Sequence, residues 1–237
     1  MGELFKFKKF EIQQDRCAMK VGTDGVLLGA WVSLSNNPYT VLDIGAGTGL
    51  IALQMAQRSN AETIDGVELD PDAYEQCVEN FEASQWSDRL FCYHASFQEF
   101  VDEIEDSYDL IVSNPPFYVE EVSSGNIARD TARQNLALPF EELIAGVKKL
   151  LSPTGSFAIV IPFKEEINFL NMSLQYGLFA IRITRVKGTP DSEIKRSLLQ
   201  FSFKETTLEE GELIIEKARH EYTPEYKNLT AEFYLKM

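Results

Sequence analysis

Basic side chains are scarce in this sequence: 22 Lys and Arg stand against 37 Asp and Glu, a formal net charge of −15. Affinity for phosphates rests mainly on Lys and Arg, so by itself this balance argues against a nucleic-acid partner. Histidine and cysteine are scarcer still. His94 and His220 have no partner at ligand spacing, and Cys17, Cys77 and Cys92 are an odd number with no C-x-x-C pair. Neither a metal site nor a disulfide framework is indicated. No run of about 18 apolar residues is free of charge, and the opening MGELFKFKKFEIQQ lacks the apolar stretch of a signal peptide. The expectation is a soluble, cytoplasmic protein with no obligate protein partner. Glycine numbers only 14, and no repeat or low-complexity tract appears, which excludes fibrous and disordered classes. What is present is a 237-residue chain, 44% hydrophobic with 16 Phe and 9 Tyr, enough for one full core.

Residues 40–112 alternate short apolar runs with longer mixed segments, the rhythm of β-α-β units around a parallel sheet. The pattern predicts strands at 41–44, 63–69, 90–94, 109–113, 156–161, 178–186 and 198–204, and helices over 23–31, 50–58, 71–81, 140–151 and 164–176. Asp70 before Pro71 is an N-cap signal, and KGTPDSEIKR reads as a polar loop between the last two strands. The expected architecture is α/β, a single domain over 1–237 with a seven-stranded, mostly parallel sheet and an antiparallel closing strand. Residues 37–205 would form the core, 1–36 a cap or substrate segment and 206–237 a tail.

Asp43-Ile44-Gly45-Ala46-Gly47-Thr48-Gly49 joins the first strand to its helix. Glycines at 45 and 47 let the backbone turn and approach a ligand, and the helix start offers free N–H groups. The dinucleotide fingerprint needs its third glycine where Leu50 stands, so nicotinamide cofactors are disfavoured. Glu68, 19 residues beyond Gly49 at the end of the second strand, is placed to accept both ribose hydroxyls of an adenosine. A plain structural turn is the competing reading. This D-x-G-x-G-x-G with its later acid resembles the class I S-adenosylmethionine-dependent methyltransferases over about residues 40–205. The resemblance implies a Rossmann-like fold and S-adenosyl-L-methionine as cofactor, with Asp43, Gly45 and Gly47 at its methionine part and Glu68 on its ribose. Many members carry an acid after the third strand. Here the residues are Ala95-Ser96-Phe97.

Asn114-Pro115-Pro116-Phe117 follows the fourth strand, at the sheet edge where open α/β folds place ligands. The prolines stiffen the backbone, so the Asn114 side chain and the Pro115 carbonyl can both accept hydrogens from one NH₂ group. Holding those hydrogens turns the nitrogen lone pair out of conjugation, catalysis by positioning and electrostatics. Phe117 supplies a face on which a planar base can stack. The tetrapeptide resembles the N-P-P-[FY] signature of methyltransferases acting on adenine N6, guanine N2 or a glutamine amide. Asn114 would then stand beside both cofactor and substrate, with no metal required.

Residues 5–31 and the tail motifs Tyr222-Thr223-Pro224-Glu225-Tyr226 and Phe233-Tyr234-Leu235 resemble the tRNA(Val) N6-adenine methyltransferases, which modify the adenosine immediately 3′ of the anticodon. That resemblance implies a tRNA partner and puts Lys20, Thr23 and Asp24 over the cofactor. For Thr23 and Asp24, capping of the helix at 23–31 stays open as the alternative. Candidate RNA contacts are Lys6, Lys8 and Lys9 at the start, Arg129 and Arg133 at i and i+4 beyond the tetrapeptide, and Arg182 and Arg185 in a basic cluster with Lys187, Lys195 and Arg196. Local potential rather than net charge guides RNA; solvated charges, or pairing with nearby acids, are the alternatives. A guanine-N2 ribosomal RNA enzyme and a glutamine methyltransferase acting on a translation factor remain open.

Overall fold

The computed structural model describes residues 4–116 and 138–236. Phe117, Arg129 and Arg133 lie outside the described residues. A hairpin of β1 (Leu4–Lys6) and β2 (Glu11–Gln13) leads through an extended segment into α1 (Thr23–Trp31). The alternating units then follow as β3 (Thr40–Ile44), α2 (Leu50–Arg58), β4 (Thr63–Glu68), α3 (Pro71–Glu82), β5 (Leu90–His94), α4 (Phe97–Glu103) and β6 (Tyr108–Ser113). After residue 138 come α5 (Phe140–Leu150), β7 (Leu151–Pro162), a 3₁₀ turn over Phe163–Glu165, α6 (Glu166–Gln175), β8 (Phe179–Lys187), β9 (Ile194–Ser202) and β10 (Glu209–Ile214). A short ribbon of β11 (Glu216–Ala218) and β12 (Glu221–Tyr222) and helix α7 (Pro224–Thr230) close the chain.

The sheet order is β10-β8-β9-β7-β6-β3-β4-β5, with β9 antiparallel to both its neighbours and every other pairing parallel. The antiparallel strand therefore sits between β7 and β8, inside the sheet. Strands β3, β6 and β7 are buried on both sides, as a sheet covered on two faces requires. One face packs under α1, α2 and α3 around Leu28, Leu53 and Phe81; the other packs under α4, α5 and α6 around Phe100, Ile144 and Phe169. Helix α1 is apolar all round, with residues 25–31 buried, which fits a helix wedged between the sheet and its neighbours. Among the described residues no helix is long and apolar enough to cross a membrane.

Two expectations are corrected. Among the described residues the sheet has eight strands, because β10 from the tail pairs with β8. Its sequence, EEGELI, shows no apolar alternation, and a ladder of ion pairs holds it: Arg182 with Glu209 at 3.3 Å, Arg185 with Glu210 at 2.9 Å and Lys187 with Glu212 at 3.0 Å. Charged edge strands of this kind escape a search for hydrophobic period two. Strand β9 also begins at Ile194, inside the segment read as loop, so Lys195 and Arg196 belong to the sheet.

Candidate functional site

At the carboxyl ends of β3, β4 and β6 lies a cleft of about 600 Å³. Lys20, Thr23, Asp24, Gly45, Gly47, Glu68, Asn114 and Pro115 all line it, so the topology brings together eight of the residues expected at one site from four separate stretches of chain. Gly45 and Gly47 hold φ of +73° and +56°, the left-handed region open to glycine at little cost. A Cβ at Gly45 would meet nothing within 4 Å, so the loop forms an open cradle. Glu68 is oriented by two backbone N–H groups, Gly47 into Oε2 and Asp70 into Oε1, both at 2.8 Å. Each oxygen thus keeps acceptor capacity for a further donor. Burial raises the Glu68 pKa, and these N–H groups pull it the other way.

Asp43 does not line the cleft, which corrects the expectation of direct contact. It is buried beneath the loop, where Oδ2 accepts the Ala52 N–H at 3.0 Å in the first turn of α2, while Oδ1 has no hydrogen-bond partner among the described residues. Burial pushes its carboxyl up to about 7, the Ala52 N–H opposing and the charge of Glu68 adding to the rise. The folded chain therefore keeps this proton to higher pH than the unfolded one, and stability falls as pH climbs from the ordinary Asp range through about 7. Asp43→Asn removes the titration. The stability difference between variant and native chain should move in the variant's favour by about 3 kcal/mol from pH 5 to pH 8. Denaturant unfolding at the two pH values measures it, and a difference independent of pH would refute the assignment.

Neither Thr23 nor Asp24 caps α1: Gly22 is the N-cap, and among the described residues there is no side-chain cap hydrogen bond. Asp24 instead accepts from Arg196 Nε on β9 at 2.7 Å. An ideal Cβ on Gly25 would lie 3.0 Å from Leu50 and 3.7 Å from Asn114 Nδ2, so α1 seats directly against the Asn114 carboxamide. The wall over residues 13–21 is fixed to α3 by two buried amides that sequence reading missed. Asn80 accepts the Gln13 N–H and donates to the Gln13 and Thr48 carbonyls, each at 2.9 Å, and Gln76 accepts the Arg16 N–H at 3.0 Å. Their signal was present, since positions 76 and 80 share with Cys77 and Phe81 the buried face of α3.

The basic cluster divides into structural and free members. Arg182 donates to the Trp31 carbonyl at 2.8 Å with its guanidinium 4.6 Å from the Trp31 ring centre. Arg185 grips buried Glu166 through Nε and Nη2 at 3.0 and 2.6 Å. Both are built into the fold, contrary to the RNA-contact expectation. Lys6 pairs with Glu11 at 2.6 Å and Lys8 donates to the Ala231 carbonyl at 2.6 Å. Lys9 is exposed.

Residues 26–177 match the family model of the methyltransferase small domain. The chain belongs to this methyltransferase family. Whole-length relatives are the tRNA1(Val) (adenine(37)-N6)-methyltransferases of Flavobacterium johnsoniae, 60% identical over 99% of this chain and 100% of that one, and of Trichodesmium erythraeum, 46% identical over 99% of each. Among solved structures, a predicted O-methyltransferase of Agrobacterium tumefaciens superposes with a TM-score of 0.69 at 17% identity, covering 89% of the methyltransferase and 96% of that chain. Pyrococcus horikoshii TYW2 in complex with MeSAdo gives 0.58 at 15%, covering 84% and 70%. These two share the fold, and the class I resemblance drawn from the glycine loop and its later acid is borne out.

Proposed function

We propose that this methyltransferase transfers the methyl group of S-adenosylmethionine to N6 of adenosine 37 in tRNA1(Val), in the cytoplasm where that substrate resides. The observation that carries the reading is identity of 43–60% along essentially the whole chain to proteins of that name. The site's chemistry supports it. The open cradle at Gly45 and the spare acceptor capacity of Glu68 fit a ligand with a ribose and an amino-acid part. When bound, the donor supplies an electrophilic methyl on a sulfonium. Asn114 Oδ1 and the Pro115 carbonyl accept the two hydrogens of the adenine amine and free its lone pair, and Phe117 provides the stacking face. As the N–C bond forms the S–C bond breaks, and the extra proton on nitrogen then passes to solvent.

Two measurements test this reading. Glu68→Ala should weaken donor binding by roughly 1.5–3 kcal/mol, the loss expected when hydrogen bonds to a charged group vanish, read by calorimetry; unaltered affinity would remove Glu68 from the site. Methyl transfer from labelled donor to unmodified tRNA1(Val), ribosomal RNA and release factor in parallel should label tRNA only, as N6-methyladenosine at position 37. Label in ribosomal guanine or in protein would replace the substrate while leaving the methyltransferase assignment standing.

A further inference from the structure

From the layout of the sheet edge we infer a second RNA-contact surface beside the cleft: Lys164 and Lys195 hold phosphates of the anticodon loop, and Phe163 stacks on an unpaired base next to the target. The inference rests on the tRNA reading above and extends it to residues outside the cleft. Moving outward from Asn114 at the end of β6, the next strands are β7 and β9. Pro162 pairs with Arg196, so β9 enters the sheet at the edge where β7 leaves it. Phe163 and Lys164 thus emerge beside Ile194 and Lys195. With strands about 4.8 Å apart, β9 stands roughly 10 Å from β6, within reach of the nucleotides that flank a base held at Asn114.

The side chains at this edge are disposed for a ligand rather than for the core. Phe163 is 38% exposed, whereas Phe157, Phe169 and Phe201 behind it are fully buried. Lys164 is exposed and has no ion-pair partner among the described residues. Among the described residues Lys195 pairs only with Glu193, at 3.8 Å with the Glu193 side chain 91% exposed, a contact too loose to hold it. Arg182, Arg185 and Lys187, by contrast, are spent on β10. The ion pair of Arg196 with Asp24 ties this end of β9 to α1 over the cleft. An exposed ring beside one unpaired and one loosely paired cation matches single-stranded RNA, whose recognition combines stacking with phosphate contacts; a protein partner for the same edge is the outcome the test excludes.

The test uses the full-length enzyme and unmodified tRNA1(Val). Lys164→Ala with Lys195→Ala should weaken tRNA binding about tenfold and lower the slope of log K against log salt by about 1.4, or 0.7 for each single-strand phosphate no longer neutralised. Phe163→Ala should weaken binding without changing the slope. Donor affinity should stay unchanged in both variants. Lys148→Ala with Lys204→Ala, in the last turn of α5 and just past the far end of β9, removes equal charge and should leave tRNA binding and slope as they are. An unaltered slope in the Lys164/Lys195 variant, or an equal fall in the Lys148/Lys204 control, overturns the inference. Failure of the native enzyme to methylate tRNA would instead remove the substrate reading on which it rests.

Discussion

Asn114→Ala is expected to lower the methylation rate at saturating substrates by about 10²-fold or more while leaving donor affinity nearly intact. A preorganised acceptor acting on the amine is worth most in the transition state, so its loss appears in kcat rather than in ground-state binding. The surroundings make the carboxamide a fixed element. It stands at the end of β6, against Gly25 of α1 and ahead of the buried Pro115. Asn114→Asp keeps one acceptor oxygen but brings a charge into the cleft near Glu68, so it should fall between native enzyme and alanine variant. Single-turnover rates with calorimetry of donor binding separate the two effects. A variant that loses the donor yet keeps its rate at saturation would show that Asn114 serves the cofactor alone.

Arg185→Ala is expected to destabilise the fold by about 3–5 kcal/mol, the usual cost of leaving one partner of a buried ion pair behind. Glu166 is 4% exposed and opens α6, where Arg185 meets it with two nitrogens and Ser197 donates a further hydrogen bond. Arg185 also reaches Glu210 on β10 at 2.9 Å, so the same change loosens the edge strand. For a chain of this length the midpoint of thermal unfolding should fall by about 10 °C. Replacing both partners, Arg185→Met with Glu166→Met, should recover most of the loss because no buried charge is then unpaired. If Arg185→Ala melts like the native chain and instead weakens tRNA binding with a flatter salt dependence, Arg185 faces RNA after all.

Local sequence was sufficient wherever the determining interaction lies within a few residues. The β-α rhythm, the glycine loop, the Asp70 cap on α3 and the stop at Pro115-Pro116 are backbone-level signals, and the predicted strands and helices coincide with the observed ones to within a few residues except at β7 and β9. Helix α4, which the apolar rhythm passed over, carries a signal of the same local kind, since Ser96 and Glu99 form a capping box that precedes an apolar face. The gathering of Gly45, Gly47, Glu68, Asn114 and Pro115 at one cleft was readable for the same reason. Tertiary structure alone decided the rest, because each of those choices couples residues far apart in the chain. Asp24 meets Arg196 across 172 positions, Asn80 joins the segment at Gln13 to the glycine loop, and β10 finds β8 through charges that look like solvated surface in one dimension. The same coupling drew Arg182 and Arg185 into ion pairs and left Lys164 and Lys195 exposed. A basic residue's meaning depends on whether an acid folds against it, and spacing along a chain carries no record of that.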